Sequence, residues 1–286
     1  MKINKEAMFI LQILSFLLFF TNLVSQPVTN LYLNNDSLDE VKNRYPFDFG
    51  EKLYYKMNYS IFTVGKAEVR IYPVEYTISQ TDCYKIDIYG QTAGAGKLVS
   101  RVNDNFGSYI NKDNLLPLKS WRILEEGKYR LKEYSDFDQD KGEVNVRKIN
   151  NETGRMEEPK VYEFNEPYML DLISGFAYLR TINFANKNTG DTLIFNGFLE
   201  DTFYKLNVLY MGIEEVKTKL GKIRAHKLVP IMPDNKLFAG ENSITAWIAC
   251  DASKVPLKVE AKMFIGKAGV EITGFAGMKY SPKFVE

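Results

Sequence analysis

The sequence predicts an all-β protein, mainly antiparallel, built as a curved sheet, half-barrel or sandwich-like domain with one short helix near 171–181. Three observations carry that prediction. Apolar and polar residues alternate with period two over most of the chain. Short turns containing Gly, Asn or Asp separate the alternating runs. Helical periodicity is confined to "MLDLISGFAYLRT", Met169 to Thr181.

The first 25 residues follow a different pattern. Lys2 and Lys5 precede an apolar run from Met8 to Phe20, and Ser25 stands before a plausible cleavage point in "LVSQ". This is the pattern of a secretory signal peptide. The run is shorter than the ~20 residues a spanning helix needs, and a signal anchor is the alternative. No cysteine lies near the cut to carry a lipid, and no later segment is apolar enough to span a bilayer as a helix. Residues 26–45, polar and poorly periodic, read as a flexible leader. Residues 46–286 read as a single β-rich domain, with two half-domains joined through the helix as the alternative.

Along the domain, Leu53, Tyr55, Met57, Tyr59 and Ile61 share one face, and Ala67, Val69 and Ile71 resume it after a Gly-containing turn. That is a β-hairpin. Tyr84, Ile86 and Ile88 repeat the pattern, as do Val144 with Val146, and Tyr204, Leu206, Val208 and Tyr210. Ile223, Ala225 and Val229 make another face. Leu257 to Ile265 make the next, with Val270 and Ile272 following a "GKAG" turn. One-sided alternation means an antiparallel sheet with one packed and one wet face. The segments 150–159 and 184–192 read as loops.

The helix is capped in the sequence itself. Asp171 suits the N-cap and Ser174 falls at N3. Leu172, Ile173, Phe176 and Leu179 form an apolar stripe. Arg180 sits where a cation complements the helix dipole. The segment reads as a plug on one side of a curved sheet, with Tyr178 and Arg180 bordering whatever the sheet encloses.

Composition narrows the function. Without residues 1–25 the chain has 35 basic and 35 acidic residues, scattered singly. A nucleic-acid partner calls for a basic patch, and there is none in the sequence. The chain has no G-x-S-x-G, no H-E-x-x-H and no Cys/His cluster, so neither a nucleophile elbow nor a zinc site is expected. "GQTAGAGK" lacks the spacing of a phosphate loop and reads as a strand break. "DFDQDKGEV" lacks the ligand set of a calcium loop and reads as an acidic hairpin turn. His226 reads as a solvated strand histidine. Cys83 and Cys250 lie in strand-like runs and read as buried free thiols, with a disulfide between them, which export would permit, as the alternative. The three Asn-x-Ser/Thr sequons, at Asn35, Asn58 and Asn151, decide nothing. No catalytic residue, metal ligand or cofactor is therefore assigned.

The aromatic residues carry more. Eighteen Tyr and nineteen Phe lie largely on strand faces. They fill cores, and on a concave sheet they line pockets for hydrophobic ligands. The expected ligand-binding positions are Trp121, Tyr178, Arg180 and Trp247.

Four ordered blocks resemble a known family. "FDFGEKLYYKMNYSIFTVGKAEV" is similar to its F-x-x-G-E-x-L-x-Y…G-x-A opening. "CYKIDIYGQTAGAGKLVSRVNDNFGSYINKDNLLPLKSWR" resembles its next block, including "LLPL". "YMLDLISGFAYLR" resembles D-x-L-S-x-x-Y-x-L-R, departing at Ile173 and Ala177, and "AWIACDASKVPLKVEAKMFIG" resembles W-x-x-x-D-x-x-x-x-P-L-x-x-E. The family is the domain of unknown function numbered thirty-one hundred and eight, and the likeness covers roughly residues 46–275. It implies an exported, β-rich bacterial protein and no catalytic residues. Some members resemble the curved half-barrel of the lipoprotein-carrier proteins, a likeness of fold that does not give function.

The expected function is a non-enzymatic envelope protein, in the periplasm or on the periplasmic face of the outer membrane of a Gram-negative bacterium. It would bind or carry a hydrophobic or lipid-like ligand. The alternatives are an assembly factor with an envelope protein partner, and a hydrolase using carboxylates alone.

Overall fold

The computed structural model describes residues 45–231 and 243–285. The expected signal peptide and residues 26–44 of the expected leader lie outside the described residues. Fifteen strands form one sheet: β1 (Lys52–Tyr59), β2 (Phe62–Ile71), β3 (Tyr76–Ile78), β4 (Thr81–Thr92), β5 (Asn103–Asn111), β6 (Pro117–Glu126), β7 (Tyr129–Asp138), β8 (Glu143–Lys148), β9 (Lys160–Glu163), β10 (Thr192–Leu199), β11 (Thr202–Thr218), β12 (Gly221–Pro230), β13 (Ile244–Ala249), β14 (Pro256–Lys262) and β15 (Lys267–Ala276). Two helices interrupt them, the single turn α1 (Gly96–Val99) and the plug α2 (Leu172–Leu179).

The order across the sheet is β10-β11-β12-β13-β14-β15-β1-β2-β4-β5-β6-β7-β8-β9, with β3 on β4. Its strand pairings are antiparallel, as one-sided alternation requires. In β1, Leu53, Tyr55 and Met57 are buried while Tyr54 is exposed. Ile61, expected on the same face, sits in the β1–β2 turn and is 89% exposed. The turn expected at "GKAG" falls earlier, at residues 263–266, so Ile265 is exposed as well.

The sheet is not closed by hydrogen bonds, since β9 and β10 end the order unpaired with each other. Its right-handed twist and five register shifts, at Tyr54/Tyr55, Met57/Asn58, Tyr109/Ile110, Tyr210/Ile213 and Trp247/Ile248, curl it. Side chains then join the two ends. Phe198 and Phe203 from the β10–β11 hairpin pack with Phe137, Val144, Val146 and Phe164. Lys148 meets Asp201 at 2.6 Å and Arg122 meets Glu200 at 3.2 Å. A curved half-barrel results.

The concave face holds the core. Leu53, Val69, Ile71, Ile86 and Ile110 pack with Phe47, Leu115, Leu257 and Ile272. Tyr45 is buried there too and stacks on Phe47. Helix α2 plugs the curve, burying Leu172, Ile173 and Ala177. Its capping box is complete. The Asp171 carboxylate accepts from the Ser174 N–H at 2.6 Å, and the Asp171 N–H donates to Ser174 Oγ at 2.8 Å.

Two readings change. His226 is not solvated: it is buried, stacks on Phe184 at 4.2 Å and meets the Tyr210 hydroxyl at 3.1 Å. The bulge in β11 brings Tyr210 and Leu228 to the same packed cluster, and Phe184 of the 3₁₀ turn after α2 covers the ring. Both cysteines are free, Cys83 buried and Cys250 only half-buried.

Candidate functional cavity

Between α2 and the concave face lies a cavity of about 200 Å³, partly open to solvent. Its walls follow from the pattern that made the strands. Inward positions of β1, β2, β4 and β5 supply Tyr55, Met57, Val69, Ile88 and Phe106. Phe195, Leu206 and Val208 come from β10 and β11, and Ala246, Trp247 and Ile248 from β13. The helix turns Leu172, Gly175, Phe176 and Leu179 into the same space.

Polar groups are few in this lining. Trp247 donates its indole N–H to Glu214 at 2.7 Å, which fixes the ring. Lys258 lies 5.8 Å from the Trp247 ring and is neutralised by Glu260 at 2.6 Å. Asp104 is the acid of the lining. It shares the inner face of β5 with Phe106 and is 5% exposed. Its Oδ1 accepts from the Glu125 N–H at 2.9 Å. Burial, with the neighbouring Glu125 charge adding to it, raises Asp104 to about 6. Burial and the Asp104 charge raise Glu126 to about 7. Two carboxyls compete for charge beside an apolar space, with Arg122 close to both.

The four expected ligand positions are not gathered together. Trp247 lines the cavity. Trp121 pairs with Gly107 on the outer face, where a Cβ at Gly107 would collide with the indole. Its N–H donates to Asn105 at 2.8 Å, and it borders a shallow outer groove with Tyr109, Tyr134 and Arg147. Tyr178 packs edge-on to Phe195, behind the cavity wall. Arg180 caps the C-terminal end of α2 and is fully buried in an ion pair with Glu51. The inward run Asp104, Phe106, Ser108, Ile110 was the signal that an acid faces the core, because it puts a carboxylate where an apolar residue is due. Its pairing with Glu126 needed the β5–β6 ladder. Among the described residues, no group of three or more His, Cys, Asp or Glu is placed to hold a metal ion, and no helix is long and apolar enough to cross a membrane.

The family model described as "Protein of unknown function (DUF3108)" matches residues 54–273. No curated protein matches the chain. Among solved structures it is similar to a β-barrel-like protein of the domain of unknown function DUF1849 from Brucella abortus, with TM-score 0.50 and 6% identity over 80% of this chain and 98% of that one. A candidate exported protein with a YmcC-like fold from Bacteroides fragilis aligns with TM-score 0.32 and 8% identity, over 81% of this chain and 98% of that one. A candidate lipoprotein from Parabacteroides distasonis aligns with TM-score 0.33 and 10% identity, over 81% and 97%. At such identity the likeness to the Brucella protein is one of fold.

Proposed function

The chain belongs to the DUF3108 family of proteins of unknown function, and within it we propose a non-enzymatic binding or carrier module for a hydrophobic or lipid-like ligand. We place it as an exported envelope protein, in the periplasm or on the periplasmic face of the outer membrane of a Gram-negative bacterium. The observation that carries the binding reading is the cavity between α2 and the curved sheet. Its walls are almost wholly aliphatic and aromatic, and its volume of about 200 Å³ suits an acyl segment or a ring. For scale, an engineered apolar cavity of about 150 Å³ takes up benzene. Filling such a space removes apolar surface from water on both partners. Trp247, held by Glu214, offers a fixed aromatic wall. Export rests on the signal-peptide pattern of residues 1–25.

The assembly-factor alternative would use an open sheet edge. Edge strand β9 has four residues and exposes Lys160 and Glu163, which blunts strand addition. Organic extraction of the purified chain followed by mass spectrometry tests the binding reading. A hydrophobic compound near one per chain is expected. A chain that carries none, and that crosslinks to a stable protein partner, would sink it.

A further inference from the structure

Three connections meet at one end of the half-barrel. The β1–β2 turn holds Ile61 and β2 opens with Phe62, the β14–β15 turn holds Phe264 and Ile265, and α1 between β4 and β5 holds Leu98 and Val99. Their contact is direct. The Ser60 N–H donates to the Lys267 carbonyl at 2.6 Å, and the Tyr59 hydroxyl donates to the Ile265 carbonyl. The Ala95 and Ala93 N–H groups donate to the Thr63 and Val64 carbonyls at 2.9 and 3.0 Å. Gly96 lets α1 close onto β2, since a Cβ there would collide with the Val64 carbonyl.

All six apolar side chains point away from the core. Leu98 is 90% exposed, Ile265 80% and Phe264 67%. Single exposed apolar residues need no explanation, but a contiguous group does. The three segments themselves carry charge of one sign, and the nearest acids, Glu125 and Glu126, stand at the β6–β7 turn, which pairs with Asn103 and Val102. Segments 60–66, 93–102 and 262–267 carry Lys66, Lys97, Arg101, Lys262 and Lys267 and no acidic residue. The rest of the chain mixes both signs. Cavity residues Met57, Gly90 and Val270 lie in the strand halves nearest these turns and Val69 and Pro256 in the halves away from them, so the cavity runs along the strands and reaches towards this end.

We propose that this rim is a membrane-docking surface, with Ile61, Phe62, Leu98, Val99, Phe264 and Ile265 entering the interface of an anionic phospholipid bilayer. The five cations then meet the headgroups. Apolar burial combined with electrostatic attraction is how interfacial elements bind anionic lipid. A second copy is the poorer occupant, because a two-fold interface through this face would set five cations against five. The proposal goes beyond the cavity reading and does not require the cavity to be filled.

The test places a local reporter, Ile265→Trp, in the full chain and adds vesicles of phosphatidylglycerol with brominated acyl chains. The tryptophan emission gained over the unsubstituted chain should shift to the blue and be quenched. Phosphatidylcholine vesicles should quench it several-fold less. Adding Lys97→Glu and Lys267→Glu should weaken the phosphatidylglycerol affinity by roughly tenfold or more, as should high salt. Absence of quenching at low salt overturns the proposal, even if the chain sediments with vesicles through its apolar N-terminal segment. Quenching indifferent to the charge reversals overturns it as well. So does a dimer that Leu98→Ser makes monomeric while the reporter stays unquenched. Because the reporter reads the rim alone, a chain that extracts without a ligand yet docks would reject the cavity reading and keep this one.

Discussion

Arg180, at the end of α2, is locked to Glu51, which stands 129 residues earlier, just before β1. Arg180 Nη2 donates to Glu51 Oε2 at 3.2 Å and to the Ser253 carbonyl at 3.0 Å, while Nη1 holds Oε1. The guanidinium lies 5.1 Å from the Phe47 ring. Both side chains are out of solvent. The plug is therefore pinned to the sheet by charge as well as by packing. Arg180→Ala leaves Glu51 buried and alone, which costs about 3–5 kcal/mol. Glu51→Leu with Arg180→Met should cost much less than either single change. Urea midpoints of the three variants check this, and a double variant as unstable as the single ones would refute it.

Asp171→Ala removes half of a buried capping box and frees the Ser174 N–H. The expected loss is about 1–2 kcal/mol, measured by chemical unfolding. Asp171→Asn should lose less, because its amide oxygen still accepts.

Ala246 faces the cavity from β13. Ala246→Leu should keep or raise the melting temperature by filling space. It should lower the amount of extractable ligand by about tenfold, equivalent to 1.4 kcal/mol of affinity. Equal ligand content in both proteins would mean that any bound compound lies elsewhere.

Asp104 and Glu126 set a pH dependence. Their folded values, about 6 and about 7, lie above the ordinary carboxylate range. The folded state thus holds protons that the unfolded chain has released. Their contribution is full below about pH 4 and is lost as pH rises through 6 and 7. The melting temperature of Asp104→Asn should therefore fall less than that of the unsubstituted chain between pH 5 and pH 8. Identical slopes would contradict the placement of the pair.

His226 titrates in the opposite sense. Burial first, then the Lys254 and Arg224 charges, push it down to about 4. Its contribution is present above the ordinary histidine range and is lost as pH falls towards 4. Since it is the chain's one histidine, a single imidazole resonance should stay neutral at pH 5.5 by NMR. A midpoint near 6.5 would place it in solvent.

Period-two alternation and the Asp171–Ser174 spacing determined the strands, their antiparallel class and the capped helix. Both are local: a strand face repeats every second residue, and a capping box closes within one turn. Alternation says which residues share a face but not which face the curl encloses. Trp121 and Trp247, equal candidates in the sequence, therefore ended on the outer face and in the cavity wall. Pairing across the sheet was equally hidden. Glu51 with Arg180, Asp104 with Glu126, and His226 beneath Phe184 join residues whose meeting depends on ladder register and on the bulges that bend it. Only the folded sheet decided these, because burial strengthens an ion pair and shifts a carboxyl through neighbours that the chain brings together last.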